Sequence, residues 1–223
     1  MKSVISILVA VLLSNSGLCN ITNDLSIADN LYASKQYNEA QNAYEKIIES
    51  YPLSSLSYHV YYNLADSYRL THKSNQAIAA YQKLINTFID APINTLALSQ
   101  FYIGFSLRGQ NKLIDAEREF NKVFTNYKTA SNAILSLTKF NIADLLDSQG
   151  KFSEANLAYI ESAIAYGFIN LSYVNQSHSR IKPYYLEKDV YQNYLQKLLM
   201  TVPATEENAE FLGKIKSQLN VLQ

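Results

Sequence analysis

Three histidines, one cysteine and one glycine-spaced run are the residues of this 223-residue chain whose types could do metal or covalent chemistry. His59, His72 and His178 lie far apart and fall in neither an HExxH helix nor a Cys/His ligand spacing, so they read as ordinary imidazoles rather than metal ligands. GFSLRGQNK, from Gly104, has the glycine spacing of a phosphate-binding loop. Gln110 and Asn111 nevertheless stand where a lysine and a hydroxyl must meet phosphate and magnesium, and the run follows a helical stretch rather than a strand. No serine sits in a G-x-S-x-G turn, and Cys19 ends an apolar leader, which leaves nucleophilic catalysis without a candidate. No catalytic residue, metal ligand or cofactor is expected, and the chain does not read as an enzyme.

What remains is non-covalent binding, and charge narrows it. With 19 basic and 19 acidic side chains and no lysine or arginine run, the electrostatic attraction that dominates nucleic-acid affinity is missing. Six glycines and four prolines are too few to punctuate a β-rich chain of this length, so an all-α fold is expected. The first residues stand apart. Lys2 followed by Val4 to Leu13 and then SNSGLC has the layout of a secretory signal peptide, and an apolar run that short does not span a bilayer. Cleavage is expected after Cys19 or after Ser16, leaving no transmembrane segment in the mature chain. Cleavage after Cys19 would also leave no cysteine. A terminal cysteine resembles the acylation site of bacterial lipoproteins, although Leu18 and Ser16 occupy places where those signals carry a small residue and leucine. Asn20, Asn170 and Asn175 head Asn-x-Ser/Thr sequons at a frequency expected by chance.

The elements that would present a binding surface repeat along the chain. YNEAQNAYEKIIESYP, SNQAIAAYQKLI, LIDAEREFNKVF and FSEANLAYIESA align on Ala40, Ala77, Ala116 and Ala155. Four residues after each alanine comes an aromatic: Tyr44, Tyr81, Phe120, Tyr159. Twelve before it stands a small residue: Ala28, Ala65, Gly104, Ala143. Three beyond the small residue comes Leu31, Tyr68, Leu107 or Leu146. Such a frame describes a helical hairpin, because two amphipathic helices approach closely only where one offers a small side chain to the bulk of the other. Ser34-Lys35-Gln36, Thr71-His72-Lys73, Gln110-Asn111-Lys112 and Gln149-Gly150-Lys151 are the expected turns, and Pro52 and Pro92 are expected to close the first two units.

The frame resembles the tetratricopeptide repeat (TPR). Ala28, Leu31, Tyr37, Ala40, Tyr44 and Pro52 match its pattern in the first unit; Ser74, Gly104 and Gly167 are departures in the later ones. A spacing of 37 to 39 residues exceeds that of the usual repeat and is similar to exported bacterial versions, such as those of the Tol-Pal envelope system and of the outer-membrane barrel-assembly machinery. The resemblance implies a TPR superhelical solenoid of four helical hairpins with a C-terminal helical cap. Its expected layout is a signal peptide over 1–19, four repeats over 21–167 and a capping region over 168–223. Such a cap covers the hydrophobic face of the last repeat. Pro203 is expected to end one of its helices, and ATEENAEFLGKIKSQL to form another with Thr205 as N-cap and Glu206 and Glu207 in its first turn.

In that family the first helix of each repeat turns particular positions to a concave groove. Carried over residue by residue, they are Leu25, Tyr62, Phe101 and Phe140, then Asp29, Asp66, Phe105 and Asp144, with Tyr32, Arg69, Arg108 and Asp147 as a third row. The implied groove has an aromatic floor edged by carboxylates. Asp66 also precedes Arg69 by three residues, the spacing of an exposed ion pair worth about 0.2–0.5 kcal/mol. The expected function is an extracytoplasmic scaffold or adaptor of the bacterial cell envelope, periplasmic or associated with the outer membrane. Its partner would be another protein or peptide segment, with no small-molecule substrate. The alternative is an outer-membrane lipoprotein anchored through Cys19 with a structural role in envelope assembly.

Overall fold

Good helix formers interrupted only at short turns produce helices throughout residues 21–166 and 171–222, the part of the chain that the computed structural model describes. The leader with Cys19, the sequons at Asn20 and Asn170, and Gly167 lie outside the described residues. Residues 21–33 form α1, followed by α2 (Tyr37–Ser50), α3 (Tyr58–Leu70), α4 (Ser74–Thr87), α5 (Ile93–Gly109) and α6 (Leu113–Asn126). Then come α7 (Asn132–Ser148), α8 (Phe152–Tyr166), α9 (Leu171–Arg180), α10 (Lys188–Thr201) and α11 (Ala209–Leu222). Among the described residues no strand occurs, and the fold is all-α.

The chain divides into two compact units between Gln110 and Asn111, inside the turn of the third sequence frame. In the first unit α2 packs on α3, α3 on α4 and α4 on α5. In the second, α6 packs on α7, α7 on α8, and α8 on both α9 and α10, with α11 against α10. The alanines that define the frame are shut away from solvent: Ala40, Ala77 and Ala116 are 0% exposed and Ala155 is 1% exposed. Tyr44, Tyr81, Phe120 and Tyr159 are equally buried beside them. Removing a side chain of that size from water contributes about 1.5–3 kcal/mol, which makes each alanine–aromatic pair a principal source of helix-packing stability within its unit.

All four turns fall at the expected residues and share one backbone device. Lys35, His72, Asn111 and Gly150, each five residues before its alanine, have φ of 61°, 60°, 59° and 76°. In three of them the carbonyls left open at the helix end are closed by a paired motif. Lys35 N–H donates to Tyr32 O (2.9 Å) and Gln36 N–H to Leu31 O (2.9 Å); His72 and Lys73 repeat this on Arg69 and Tyr68, and Gly150 and Lys151 on Asp147 and Leu146. The residue after the alanine then ties neighbouring segments together. Gln41 donates to Ser67 O (2.9 Å) and Thr71 Oγ1 (2.8 Å). Asn156, its counterpart after Ala155, donates to Lys182 O (2.8 Å) and accepts from Lys182 N–H (2.9 Å), which holds the capping segment on α8.

Two expected boundaries move. Helix α4 already ends at Thr87, and Pro92 instead opens α5, its carbonyl accepting from the N–H groups of Thr95 and Leu96. A proline suits that place because the first turn of a helix has no use for its N–H. The last helix begins at Ala209 rather than near Thr205. Asn208 donates to Pro203 O (2.8 Å) and its own N–H bonds Thr205 O, so the chain makes a turn there and Glu206 and Glu207 precede the helix, leaving Glu210 in its first turn.

The shared left-handed turn position sets a prediction. A side chain there is strained by its own backbone, and a Cβ at Gly150 would meet nothing within 4 Å, so no clash complicates the comparison. Gly150→Ala is expected to lower stability by about 1 kcal/mol and Lys35→Gly to raise it by up to about 1 kcal/mol. Shifts in urea midpoint at unchanged slope measure both.

Candidate functional site

The face of α1, α3 and α5 in the first unit is built around one buried carboxylate. Asp66 faces inward from α3, and both of its oxygens are taken: Tyr32 Oη of α1 donates to Oδ2 (2.6 Å), while Tyr81 Oη of α4 (3.1 Å) and Arg69 Nε (2.7 Å) donate to Oδ1. Arg69 Nη2 adds an ion-pair contact at 2.6 Å. The guanidinium lies 4.3 Å from the centroid of the Tyr102 ring, Tyr102 stacks on Tyr81, and Tyr62 meets Tyr81 edge-on at 6.0 Å. The i,i+3 pair legible in the sequence therefore exists, but as the centre of a tyrosine cage rather than as an exposed contact.

Burial, and after it the Asp66 hydrogen bond, pushes the Tyr32 hydroxyl far above its ordinary pKa; burial and then the Asp66 charge do the same to Tyr81. Both are donors at any physiological pH. Burial works against the Arg69 charge, but the Asp66 carboxylate together with the neighbouring tyrosines outweighs it, and the guanidinium stays firmly protonated. With Tyr32, Tyr81 and Arg69 held protonated, these three side chains act as fixed donors that position the helices around Asp66.

The tyrosine-to-aspartate bond recurs with a fixed separation of 15 residues. Tyr44 Oη donates to Asp29 Oδ1 at 2.5 Å, and in the second unit Tyr159 Oη donates to Asp144 Oδ1 at 2.6 Å. Asn63 adds a second donor to Asp29 at 3.2 Å. In the third frame the corresponding residues are Phe105 and Phe120, so hydroxyl and carboxylate are lost together and neither is left without the other. That matched exchange, with the constant spacing, is the signal by which Tyr44, Tyr81 and Tyr159 could have been paired to the aspartates from sequence.

The remaining groove residues divide by exposure. Phe101, at 3% exposed, is core, with its ring against Tyr102 and Phe105. Phe105 is 41% exposed, and the Arg108 guanidinium lies 5.7 Å from its centroid. Leu25 and Tyr62 are half-buried. In the second unit Phe140 is half-buried and meets Tyr159 edge-on at 5.5 Å, and Asp147 forms an ion pair with Lys182. The expected carboxylate edge is thus taken up by internal hydroxyls at Asp29, Asp66 and Asp144, while the open ring of the face belongs to Phe105. Among the described residues no cluster of three or more His, Cys, Asp or Glu could hold a metal ion, and no helix is long and apolar enough to cross a membrane.

Known proteins agree with this geometry at the level of fold. The tetratricopeptide repeat model matches residues 24–54 and 59–88, the first two frames. No curated protein matches the chain. Among solved structures, the nearly identical TPR-like repeats of a kinesin-light-chain-type protein of Podosopora anserina are similar at 11% identity and a TM-score of 0.55, covering 92% of this chain and 95% of that one. A glutamine-to-methionine variant of the same repeats is similar at 11% identity and a TM-score of 0.56, covering 92% and 94%. The all-α fold is therefore of tetratricopeptide type.

The cage makes its own prediction. Tyr81→Phe leaves Asp66 with Tyr32 and Arg69 and is expected to cost about 1 kcal/mol. Asp66→Ala strips a partly buried guanidinium and two hydroxyls of their shared acceptor and is expected to cost at least about 2 kcal/mol. Urea unfolding followed by tyrosine fluorescence distinguishes the two.

Proposed function

We propose that the chain is an exported scaffold that binds another protein or peptide segment on the face formed by α1, α3 and α5. Tetratricopeptide repeats generally mediate protein–protein interactions. The observation that carries the reading here is Phe105: a large ring left 41% open to solvent at the one frame position where the aspartate–tyrosine bond is absent, standing beside the Asp66–Arg69–tyrosine cage. A rigid aromatic anchor loses little entropy when a partner covers it, and the cage fixes the helices on which it stands. Because Asp66 is buried with both oxygens bonded, and the exposed Asp29 already accepts from Tyr44 and Asn63, apolar and aromatic contact would supply most of the affinity.

A photoreactive amino acid placed at residue 105 in intact cells is expected to yield one predominant crosslinked protein. Phe105→Asp, at an exposed position, is expected to reduce copurification of that protein at least tenfold while helical content and melting stay unchanged. Undiminished copurification by the folded variant would remove this face as the site.

Export to a bacterial envelope is the localisation we propose, on the strength of Lys2 and the apolar run Val4 to Leu13. The mass of the mature protein is expected to place its N-terminus at Gly17 or Asn20. A diacylglyceryl group on Cys19 would instead make the protein the anchored lipoprotein of the alternative reading.

A further inference from the structure

His178 occupies a junction that the partner-binding face does not use. It lies on α9 with its Nδ1 3.0 Å from the hydroxyl of Tyr194 on α10, and its ring meets Phe211 of α11 at 90° and 5.9 Å. Gln218, also on α11, completes its hydrogen bonding. Around it Tyr194, Leu195, Leu198 and Ile215 form the buried interior of the cap. One imidazole therefore links all three C-terminal helices.

The groups turned toward it supply no compensating negative charge. From α10 they are Tyr194 and, behind it, Tyr191; from α11 they are the neutral Gln218 and Phe211. Glu210 and Lys214 of α11 pair with each other at the surface. On α9 itself the nearest charged residue is the exposed Arg180, a cation. Helix α8 reaches α9 through the Ser177–Ser162 hydrogen bond, and its Glu161 is paired with Lys139. An imidazolium formed here would be a partly desolvated cation with no carboxylate to receive it among these groups.

We infer that α9, α10 and α11 form an acid-sensitive cap, in which protonation of His178 loosens α10 and α11 while the repeat helices keep their packing. Burial lowers the His178 pKa from its ordinary 6.5, and the Gln218 hydrogen bond opposes this only in part. The opened cap then binds the proton more readily than the closed one. Cap stability is complete above 6.5, falls as pH drops through 6.5, and levels off below the lower value of the closed form.

Hydrogen exchange of the full chain, corrected for intrinsic rates, tests this between about pH 7.5 and about pH 5.5. Protection in α10 and α11 is expected to fall with acidification, by at most about tenfold per pH unit because a single proton is taken up, with α2 to α7 unaffected. His178→Gln, which keeps a hydrogen-bonding side chain and cannot titrate, is expected to hold protection flat. NMR titration of the wild-type imidazole keeps the inference testable even if that variant does not fold. A midpoint below 6.5 supports it; a midpoint at or above 6.5, flat wild-type protection, or an equal acid loss in His178→Gln overturns it.

Discussion

Closest approach between paired helices at a buried methyl group is the constraint on which this chain's architecture rests. At Ala40, Ala77, Ala116 and Ala155 nothing larger fits without pushing neighbouring helices apart, because each methyl is enclosed and a full-sized aromatic is buried one turn further on. The small residues Ala28, Ala65, Gly104 and Ala143 are buried as well, and in the first, second and fourth frames they give the first helix a matching notch. The fixed spacing of the turns and of the tyrosine–aspartate bonds relative to each alanine accords with that fit.

The polar bonds show how a tightly packed array keeps hydroxyls and carboxylates inside. A buried tyrosine hydroxyl needs an acceptor, and an aspartate 15 residues earlier, on the facing helix, provides one in three frames. The fourth case is the mirror of the rule: where the aspartate becomes Phe105 the tyrosine becomes Phe120, and a bonded polar pair is exchanged for two apolar rings. Stability and surface chemistry are coupled through this choice. Frames that keep the bond tie their carboxylate to an internal hydroxyl, buried at Asp66, half-buried at Asp144 and still exposed at Asp29; the frame that loses it offers a ring to solvent.

Helix ends obey a similar rule. Three turns close their open carbonyls by the same pair of backbone bonds, each through a left-handed residue, and only Gly150 adopts that conformation without strain. The C-terminal segment reuses the repeat's inter-hairpin tie, Asn156 holding Lys182 as Gln41 holds Ser67 and Thr71, so the cap docks through a contact that elsewhere joins one hairpin to the next.

Local spacing alone determined the helices, the four turns and the buried alanine–aromatic frame, because each is written within the few residues that a helix brings onto one face. The positions of Pro92 and of the start of α11 were not legible in that way, since Pro92 suits either side of a boundary and Asn208 closes its turn on Pro203 through a side-chain bond. Tertiary structure decided the rest of the site. Whether Asp66 meets water or two tyrosines, whether Phe101 is floor or core, and which helices His178 joins depend on side chains delivered by other helices. A one-dimensional period records which face a residue occupies; it does not record what another helix places opposite, and that neighbour decides whether a polar group is offered to a partner or consumed within the fold.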